Sequence, residues 1–185
     1  MHEIQLKTIQ QTDLNTIFDI SYGPKADLEW MKFNGPYFND PIETWNTFSN
    51  GYGKKLVADP MKKVIIFNNE IIGLVAAYWE DGPLKQWLEV GILLYQKKDW
   101  GKGIGSQALS LWLHDLFAQF EYLPHIGFTT WSGNRGMQKI GEKCGMTKEG
   151  VIRKVRYLDG HYYDSVKYGI LREELHACFS KKIFL

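Results

Sequence analysis

Glycines occupy three alternate positions of one short segment of this chain: Gly101, Gly103 and Gly105. Glycine lets the backbone turn sharply and leaves its N–H groups uncovered by side chains. A helix that begins at such a turn adds N–H groups without intrahelical partners and the positive end of its dipole. Lysines add positive charge at Lys97, Lys98 and Lys102. The segment therefore predicts a site for an anionic ligand that carries phosphate, formed by Trp100, Gly101, Lys102, Gly103, Ile104, Gly105 and Ser106.

Two common nucleotide motifs do not fit this turn. The nucleoside-triphosphate loop needs G-x-x-x-x-G-K-[ST], which does not occur in the sequence. The dinucleotide pattern G-x-G-x-x-G fails at its last position, where Ser106 stands. Glu121 lies about 20 residues past Gly101, but it ends a predicted helix and not a second strand, so it is badly placed for a ribose. Nucleotide binding is therefore a weak hypothesis.

The elements on either side of the turn would position it. Glu89 to Tyr95 is a compact apolar run with the length of a buried strand. After the turn, one helical face is apolar, at Leu109, Trp112, Leu113, Leu116, Phe117 and Phe120. Ile126 to Trp131 predicts the next strand, and a strand–helix–strand unit of this length implies a parallel crossover.

Other local signals predict the remaining elements. Glu3 to Thr8 alternates as a strand does, and Asp13 could cap the helix that follows. Short helical patterns cover Asp27–Phe33 and Ile42–Phe48. Hairpins are predicted around the polar turn Asn68-Asn69-Glu70 and around Asp159-Gly160. A helix from Asn134 to Cys144 would be closed by Gly145.

Two motifs resemble the GNAT N-acetyltransferase superfamily. Gly103 and Gly105 fill the glycine positions of its acetyl-CoA loop, [RQ]-x-x-G-x-[GA], with Trp100 where Arg or Gln is usual. The superfamily signature N-x-x-[AS]-x-x-x-x-E-K-x-G-F-x-x-E-G is matched at Asn134, Glu142, Lys143, Gly145, Glu149 and Gly150, with Met137 and Met146 as departures. The W-G-K-G setting and the last hairpin resemble the branch that acetylates ribosomal-protein N-termini, with its spermidine- and antibiotic-modifying relatives.

The resemblance covers about Gln5 to Leu175 and implies a fold. We expect an α/β protein with an α+β mixed sheet: a central, mostly antiparallel twisted sheet of about 6–7 strands with a parallel splayed pair, flanked by about 4 helices. No repeat, linker or low-complexity segment occurs, so one N-acetyltransferase domain is expected over residues 1–185, with a core at about 3–172.

The same resemblance implies roles for particular residues. Glu89 would be the general base that removes a proton from the acceptor amine; the alternative is a sheet-edge glutamate in a salt bridge. Asn134 would bind the pantetheine arm or its water, and as a helix N-cap it could do both. Backbone groups of the central strand would polarise the thioester carbonyl and hold the pantetheine, at Ile92, Leu93 and Leu94.

The residues that usually serve as the general acid in the superfamily are missing from this chain. Many members of the superfamily place a tyrosine seven residues after the asparagine, where this chain has Gly141, and Met137 removes the alternative serine. Tyrosines on the last hairpin are substitutes, Tyr157, Tyr162 and Tyr163, of which Tyr162 is taken as the candidate. A water molecule is the other option.

The acceptor region is assigned by analogy to Ser21–Gly53. Aromatic side chains there, Phe33, Tyr37 and Phe38, lie near Asp27 and Glu29 in the sequence and could receive a cationic amine through cation–π and ionic contacts. The alternative is that these rings simply pack short helices onto the sheet.

The resemblance implies transfer of an acetyl group from acetyl-CoA, by direct attack on the thioester, to a primary amine of a small molecule or a protein N-terminus. A CoA-binding sensor or interaction protein that has lost catalysis is the alternative, supported by the missing tyrosine and serine. No metal is expected. A homodimer is an expectation because dimers are common in the superfamily.

Composition limits the partners. The 22 basic and 21 acidic residues leave a net charge of +1, so no overall field points to nucleic acid or an anionic membrane. Cys144 and Cys178 form no metal or C-x-x-C spacing. Neither a secretion signal nor an apolar run of about 18 residues occurs, so a cytoplasmic location is expected.

Overall fold

A single mixed sheet organises the described chain, residues 4–175 of the computed structural model. Its strands are β1 (Ile4–Thr8), β2 (Lys62–Phe67), β3 (Glu70–Trp79), β4 (Leu88–Leu94), β5 (His125–Trp131), β6 (Thr147–Leu158) and β7 (His161–Leu171). Their order across the sheet is β1-β2-β3-β4-β5-β7-β6. β1 with β2, β2 with β3, β5 with β7 and β6 with β7 pair antiparallel, whereas β4 pairs with β5 in parallel. The predicted fold class, including the parallel pair, is confirmed.

The helices with both ends in the described residues are α1 (Leu14–Ser21), α2 (Trp45–Asn50), α3 (Ile104–Gln119) and α4 (Arg135–Lys143). Residues 172–175 are helical as well. Short 3-10 helices occupy Gln11–Asp13, Leu28–Lys32, Pro36–Phe38, Gly53–Leu56, Gly82–Leu84 and Lys97–Asp99. The α3 crossover joins the two parallel strands, as the sequence predicts.

The described chain divides into two compact units. The first comprises residues 4–76 and 92–108, and the second comprises 77–91 and 109–175. The unit boundaries fall inside β3, β4 and α3. The single domain expected from the sequence stays a prediction.

The core of the first unit is built on aromatic and aliphatic side chains from α1, α2 and β2 to β4. Its buried members include Leu14, Ile17, Phe48, Val64 and Leu74. Trp30 is buried against them and meets Tyr95 edge to face, with ring centroids 5.2 Å apart. Such contacts add roughly 0.5–1.5 kcal/mol beyond the area buried.

The second unit buries the face of α3 that its 3.6-residue period predicts. Leu109, Trp112, Leu113 and Leu116 have 0% exposure and Phe117 has 3%. Each such side chain contributes roughly 1.5–3 kcal/mol when it leaves water. Phe120 lies one residue beyond the end of the helix and is half-buried.

The turns follow their local chemistry, with small corrections to the predicted bounds. Asn68 and Asn69 have φ of 51° and 64°, so they form a two-residue hairpin turn and Glu70 begins β3. The predicted hairpin at Asp159-Gly160 joins β6 to β7.

The predicted helix starts were less accurate than the predicted hairpin turns. The second short helix begins at Trp45 and not at Ile42, because Thr44 provides the N-cap and accepts a hydrogen bond from the Thr47 N–H. Asp13 precedes α1, but its carboxylate accepts from the backbone N–H of Gln10 and does not cap α1.

A close backbone approach occurs between β3 and the first unit's part of β4. A Cβ built at Gly73 would overlap the carbonyl oxygen of Leu93. Glycine at this position therefore lets the Leu93 carbonyl approach β3, and any side chain would have to push backbone aside.

Gly73→Ala should lower the free energy of unfolding by about 1–3 kcal/mol, the range for a forced overlap in a packed interior. Chemical denaturation measures this change. Gly91→Ala is the matched control, since Gly91 lies on β4 with nothing within 4 Å of its Cβ position. Equal stability of the two variants would contradict the close approach.

The C-terminal end of α3 is closed by a residue distant in sequence. Arg172 donates hydrogen bonds to the carbonyl oxygens of Leu123, Phe117 and Phe120 at 3.0, 3.0 and 2.7 Å. Its guanidinium also lies 4.7 Å from the centre of the Phe117 ring. A cation at a helix C-terminus satisfies exposed carbonyls and complements the helix dipole.

Arg172→Ala should cost about 2–4 kcal/mol of unfolding free energy, because three charge-assisted hydrogen bonds are lost together. Arg153→Ala, on the exposed part of β6, is the control and should change stability by less than about 0.5 kcal/mol. Urea titration of both variants is sufficient. An Arg172 variant as stable as the control would show that the three bonds carry no net stability.

Candidate active site

The glycine turn of the first unit opens its backbone to a ligand. Gly101 and Gly103 have φ of 73° and 81°, and α3 begins directly after them at Ile104. Nothing lies within 4 Å of a Cβ built at Gly101, and at Gly103 only the Gln107 side-chain nitrogen does, at 3.8 Å. The backbone face of the turn is therefore clear of side chains.

The start of α3 supplies donors to this face. The backbone N–H of Gln107 is the first to be bonded within the helix, to the Gly103 carbonyl at 3.1 Å. The N–H groups of Ile104 and Gly105 precede it and have no carbonyl one turn earlier to bind. Ser106 donates its hydroxyl to the Gly103 carbonyl at 2.9 Å. These features fit the pyrophosphate of a CoA-type ligand.

Trp100, which departs from the Arg or Gln of the family motif, has a structural role. Its indole N–H donates to the Leu94 carbonyl at 3.0 Å, so the turn is tied to the end of β4. Its ring meets Phe33 edge to face, with centroids 5.5 Å apart. Ile92, Leu93 and Leu94, the predicted pantetheine contacts, are half-buried on this part of β4.

The 3-10 helix Leu28–Lys32 is fastened to the same turn region. The Asp27 carboxylate accepts from the Lys97 backbone N–H at 2.8 Å, and these backbone N–H groups of Lys97 and then Glu29 lower its pKa. Glu29 forms ion pairs with Lys32 and Lys97. Both carboxylates expected to receive a cationic amine thus have partners within the protein, Asp27 in backbone N–H groups and Glu29 in lysine side chains.

A cavity of about 260 Å³ lies in the first unit, inside the predicted acceptor region. Its walls include Tyr22, Trp30, Met31, Asn39 and Asp40. Burial, followed by the charge of Glu43, raises the pKa of Tyr22 to about 12, so its hydroxyl stays protonated at neutral pH. Phe38, by contrast, is 64% exposed and lies against Tyr37, with ring centroids 4.8 Å apart.

Glu89, the predicted general base, is enclosed within the second unit. It is 1% exposed, and its Oε1 accepts from Thr129 at 2.9 Å and from the Lys167 ammonium at 3.0 Å. Its Oε2 accepts from the Tyr78 hydroxyl at 3.2 Å. The salt bridge weighed as the alternative role does occur. Glu89 itself lies on β4, an interior strand, and not at a sheet edge.

The partners of Glu89 come from three strands. Tyr78 is on β3, Thr129 on β5 and Lys167 on β7, where Lys167 pairs directly with Thr129 across the strands. Lys167 donates to the Thr129 hydroxyl at 2.7 Å, and its ammonium lies 4.9 Å from the centre of the Trp87 ring. Sequence reasoning missed these partners because strand register was needed to bring them together.

Asn134 and Tyr162 lie elsewhere in the second unit. The Asn134 side chain accepts from the Met137 N–H at 3.0 Å, so it caps α4 as one of its two expected roles requires. Tyr162 is 64% exposed beside Tyr157, near the tip of the last hairpin. Five residues of strand, roughly 17 Å, separate it from Lys167, so it is not brought to Glu89. Tyr163 packs on Trp131.

The other candidates carry less information. Cys144 is buried and accepts a 3.5 Å contact from the Ser110 hydroxyl, while Cys178 lies outside the described residues. Within residues 4–175, no group of three or more His, Cys, Asp and Glu could hold a metal ion. None of the described helices has the length and apolar character to cross a membrane.

A family model described as the acetyltransferase (GNAT) domain matches residues 3–147 of the chain. The chain belongs to the GNAT acetyltransferase family. GNAT enzymes use acetyl-CoA, which agrees with the open backbone of the glycine turn.

Similar proteins agree with this membership. An uncharacterized N-acetyltransferase from the SPbeta prophage of Bacillus subtilis (strain 168), YokL, is 34% identical over 74 residues. That alignment covers 40% of this chain and 41% of the relative's own length.

Solved structures share the fold over nearly the whole chain. A GNAT acetyltransferase from Bacillus anthracis is 22% identical and superposes with a TM-score of 0.74, covering 94% of this chain and 98% of its own. Spermidine N-acetyltransferase from Vibrio cholerae, solved with CoA and spermine, is 21% identical with a TM-score of 0.73 and the same coverage. At sequence identities this low, structural similarity shows only that the fold is shared.

Lys167→Met should destabilise the protein by about 1–3 kcal/mol, because it leaves a buried carboxylate without its cation. The cost is expected below the ~3–5 kcal/mol of fully buried pairs since the Lys167 side chain is 29% exposed. Thermal and urea unfolding measure it, with the exposed Lys139→Met as control.

The double variant Glu89→Gln/Lys167→Met should recover part of that loss, because the unpaired charge is gone. Strictly additive losses in this cycle would mean that the two side chains do not interact energetically.

Proposed function

We propose that this protein is an acetyl-CoA-dependent N-acetyltransferase that transfers an acetyl group, by direct attack on the thioester, to a primary amine of a small molecule or a protein N-terminus. The observation that carries the proposal is the match of the family model to residues 3–147, which includes the glycine turn. The clear backbone face at Gly101 and Gly103 supports it.

The cofactor would be held chiefly by backbone groups. N–H groups from Gly101, Lys102, Gly103, Ile104, Gly105 and Ser106 would bind the pyrophosphate, with Trp100 fixing the turn to β4. The half-buried backbone of Ile92, Leu93 and Leu94 would receive the pantetheine arm as an added strand, and Asn134 would contact it as well. When bound, acetyl-CoA supplies an acetyl group that is activated as a thioester.

Glu89 is the proposed general base. An amine acceptor is mostly protonated at neutral pH and must lose a proton before its nitrogen can react. The Glu89 carboxylate is fixed by the Tyr78 and Thr129 hydroxyls and by Lys167, so its acceptor oxygens have a defined orientation. Water, rather than the exposed Tyr162, is the proposed acid, because Tyr162 lies roughly 17 Å along β7 from the Glu89 partner Lys167.

The acceptor is proposed to enter the region Ser21–Gly53, where the cavity beside Tyr22 and Asp40 lies. Membership of the branch that acts on ribosomal-protein N-termini, with spermidine and antibiotic relatives, is part of this proposal and rests on the W-G-K-G segment. The test panel therefore includes N-terminal peptides, polyamines and aminoglycosides. Homodimer formation and a cytoplasmic location are likewise proposals.

One observation favours the second candidate, a CoA-binding sensor that has lost catalysis. Both oxygens of the Glu89 carboxylate already have partners within the protein, Oε1 with Thr129 and Lys167 and Oε2 with Tyr78. Cofactor binding without acetyl transfer to any amine of the panel would support the sensor.

Calorimetric titration with acetyl-CoA tests the cofactor site. The wild type should bind with micromolar affinity, and Gly103→Glu should abolish binding because it puts a carboxylate in the phosphate turn. Gly160→Glu is the matched control: its φ of 82° equals that of Gly103 within a degree, and nothing lies within 4 Å of its Cβ position.

Binding by Gly160→Glu and not by Gly103→Glu assigns the ligand to the turn. Absence of binding by the wild type, shown folded by circular dichroism, would overturn the proposed cofactor and with it the acetyltransferase function.

A further inference from the structure

Glu89 is enclosed, but side chains bonded to it reach solvent. Glu89 is 1% exposed, whereas Tyr78 is 45% exposed and the Lys167 side chain is 29% exposed. An acceptor amine that gives its proton to Glu89 must come within hydrogen-bond reach of a carboxylate oxygen. The proposed function, on which this inference rests, therefore requires a group that is bonded to Glu89 to move.

Lys167 is the partner best able to leave Glu89. Its ammonium stands at the end of a flexible alkyl stem, whereas Thr129 has a short side chain on the interior strand β5 and the Tyr78 hydroxyl is fixed to a rigid ring. The Lys167 ammonium also has the chemistry of the acceptor's own ammonium. Exchange of one for the other keeps the buried carboxylate paired with a cation, so no uncompensated charge is left behind.

The Lys167 ammonium occupies a site made of a carboxylate, a hydroxyl and an aromatic face. It donates to Glu89 Oε1 at 3.0 Å and to the Thr129 hydroxyl at 2.7 Å. It also lies 4.9 Å from the centre of the Trp87 ring, within the range of a cation–π contact. A primary ammonium has a positive charge and only N–H donors, so these partners together suit it.

The sheet holds these partners in place without the Lys167 side chain. Glu89 and Thr129 lie on β4 and β5, which pair in parallel. Trp87 comes directly before β4, and its backbone N–H donates to the Asp81 carboxylate at 3.1 Å. The carboxylate, the hydroxyl and the ring therefore remain together when the Lys167 side chain leaves.

The side chain of Lys167 also indicates which class of amine fits. Its ammonium reaches Glu89 on an unbranched alkyl stem, so the carbon next to the nitrogen carries only hydrogens and the next methylene. The carbon next to a peptide α-amino group carries a side chain and a carbonyl instead. A primary amine at the end of an unbranched alkyl chain, such as an aliphatic diamine, therefore fits this site better than a peptide N-terminus.

We propose that the acceptor's ammonium takes the place of the Lys167 ammonium at Glu89, Thr129 and Trp87, and that this site selects primary amines on unbranched alkyl chains. The Lys167 side chain then moves into the solvent that it already reaches in part. Lys167 is thus an internal competitor of the acceptor, because only the fraction of molecules in which it has left can bind the amine. After the exchange, the acceptor nitrogen lies on an oxygen of the proposed base.

Thermal unfolding of Lys167→Ala tests the site without acetyl-CoA. The substitution removes the atoms of n-propylammonium, so an excess of n-propylammonium chloride should raise the unfolding temperature by about 2–4 °C relative to sodium chloride of equal ionic strength. Isopropylammonium, which is branched next to the nitrogen, should raise it less, and the uncharged n-propanol should not raise it. The wild type, whose own lysine fills the site, and the exposed Lys139→Ala control should gain less than about 1 °C.

Steady-state kinetics with the amine that the wild type acetylates best test the exchange. Lys167→Ala should lower the KM for the amine about 10-fold and leave kcat within about 3-fold, because the internal competitor is gone. Lys167→Arg should raise the same KM, since a guanidinium binds a carboxylate at two points and leaves it less readily. Lys167→Met replaces Lys167→Ala in this comparison if the alanine variant does not fold.

No rise in the unfolding temperature of Lys167→Ala with n-propylammonium, or an amine KM that does not fall when the lysine is removed, overturns the site. An equal rise with isopropylammonium overturns the selection of unbranched amines. Acetyl transfer by the wild type with neither effect removes this inference and leaves the proposed function intact. Stabilisation by n-propylammonium without transfer by the wild type supports the amine site and removes the acetyltransferase function.

Discussion

A carboxylate that has lost its water must be compensated by the groups that displaced it, and Glu89 imposes this constraint on the second unit. Two hydroxyls and one ammonium surround its oxygens, each from a different strand. The lysine is held in turn by Thr129 and by the ring of Trp87. Strand order and register in this part of the sheet must therefore be correct before the charge can be buried.

Much of the fold follows from signals that are local in the chain. The apolar face of α3, the Asn68-Asn69 and Asp159-Gly160 turns and the glycine after α4 each depend on a few neighbouring residues, and each formed as expected. Helix starts among the prolines of the first unit were less accurate, since the Thr44 cap overrides the apolar pattern that begins at Ile42.

The candidate site was only partly accessible to sequence reasoning. A family motif points to the glycine turn and to Glu89, but the partners of Glu89 lie 11, 40 and 78 residues away. Such pairs depend on the register between neighbouring strands. An alternating pattern predicts which face of the sheet a side chain is on, but it is compatible with registers that differ by two residues. For the same reason Tyr162 seemed as suitable as any hairpin tyrosine, although its place on β7 puts it far from Lys167.

The hydrogen bonds of Arg172 also bear on the order in which the second unit can form. They join residues 49 to 55 positions apart, so the carbonyl groups at the end of α3 lack this partner until the end of β7 has docked. Helices form in about a microsecond, whereas long-range strand pairing is slow. The C-terminal amides of α3 should therefore gain protection from hydrogen exchange together with β7, and later than the middle of their own helix.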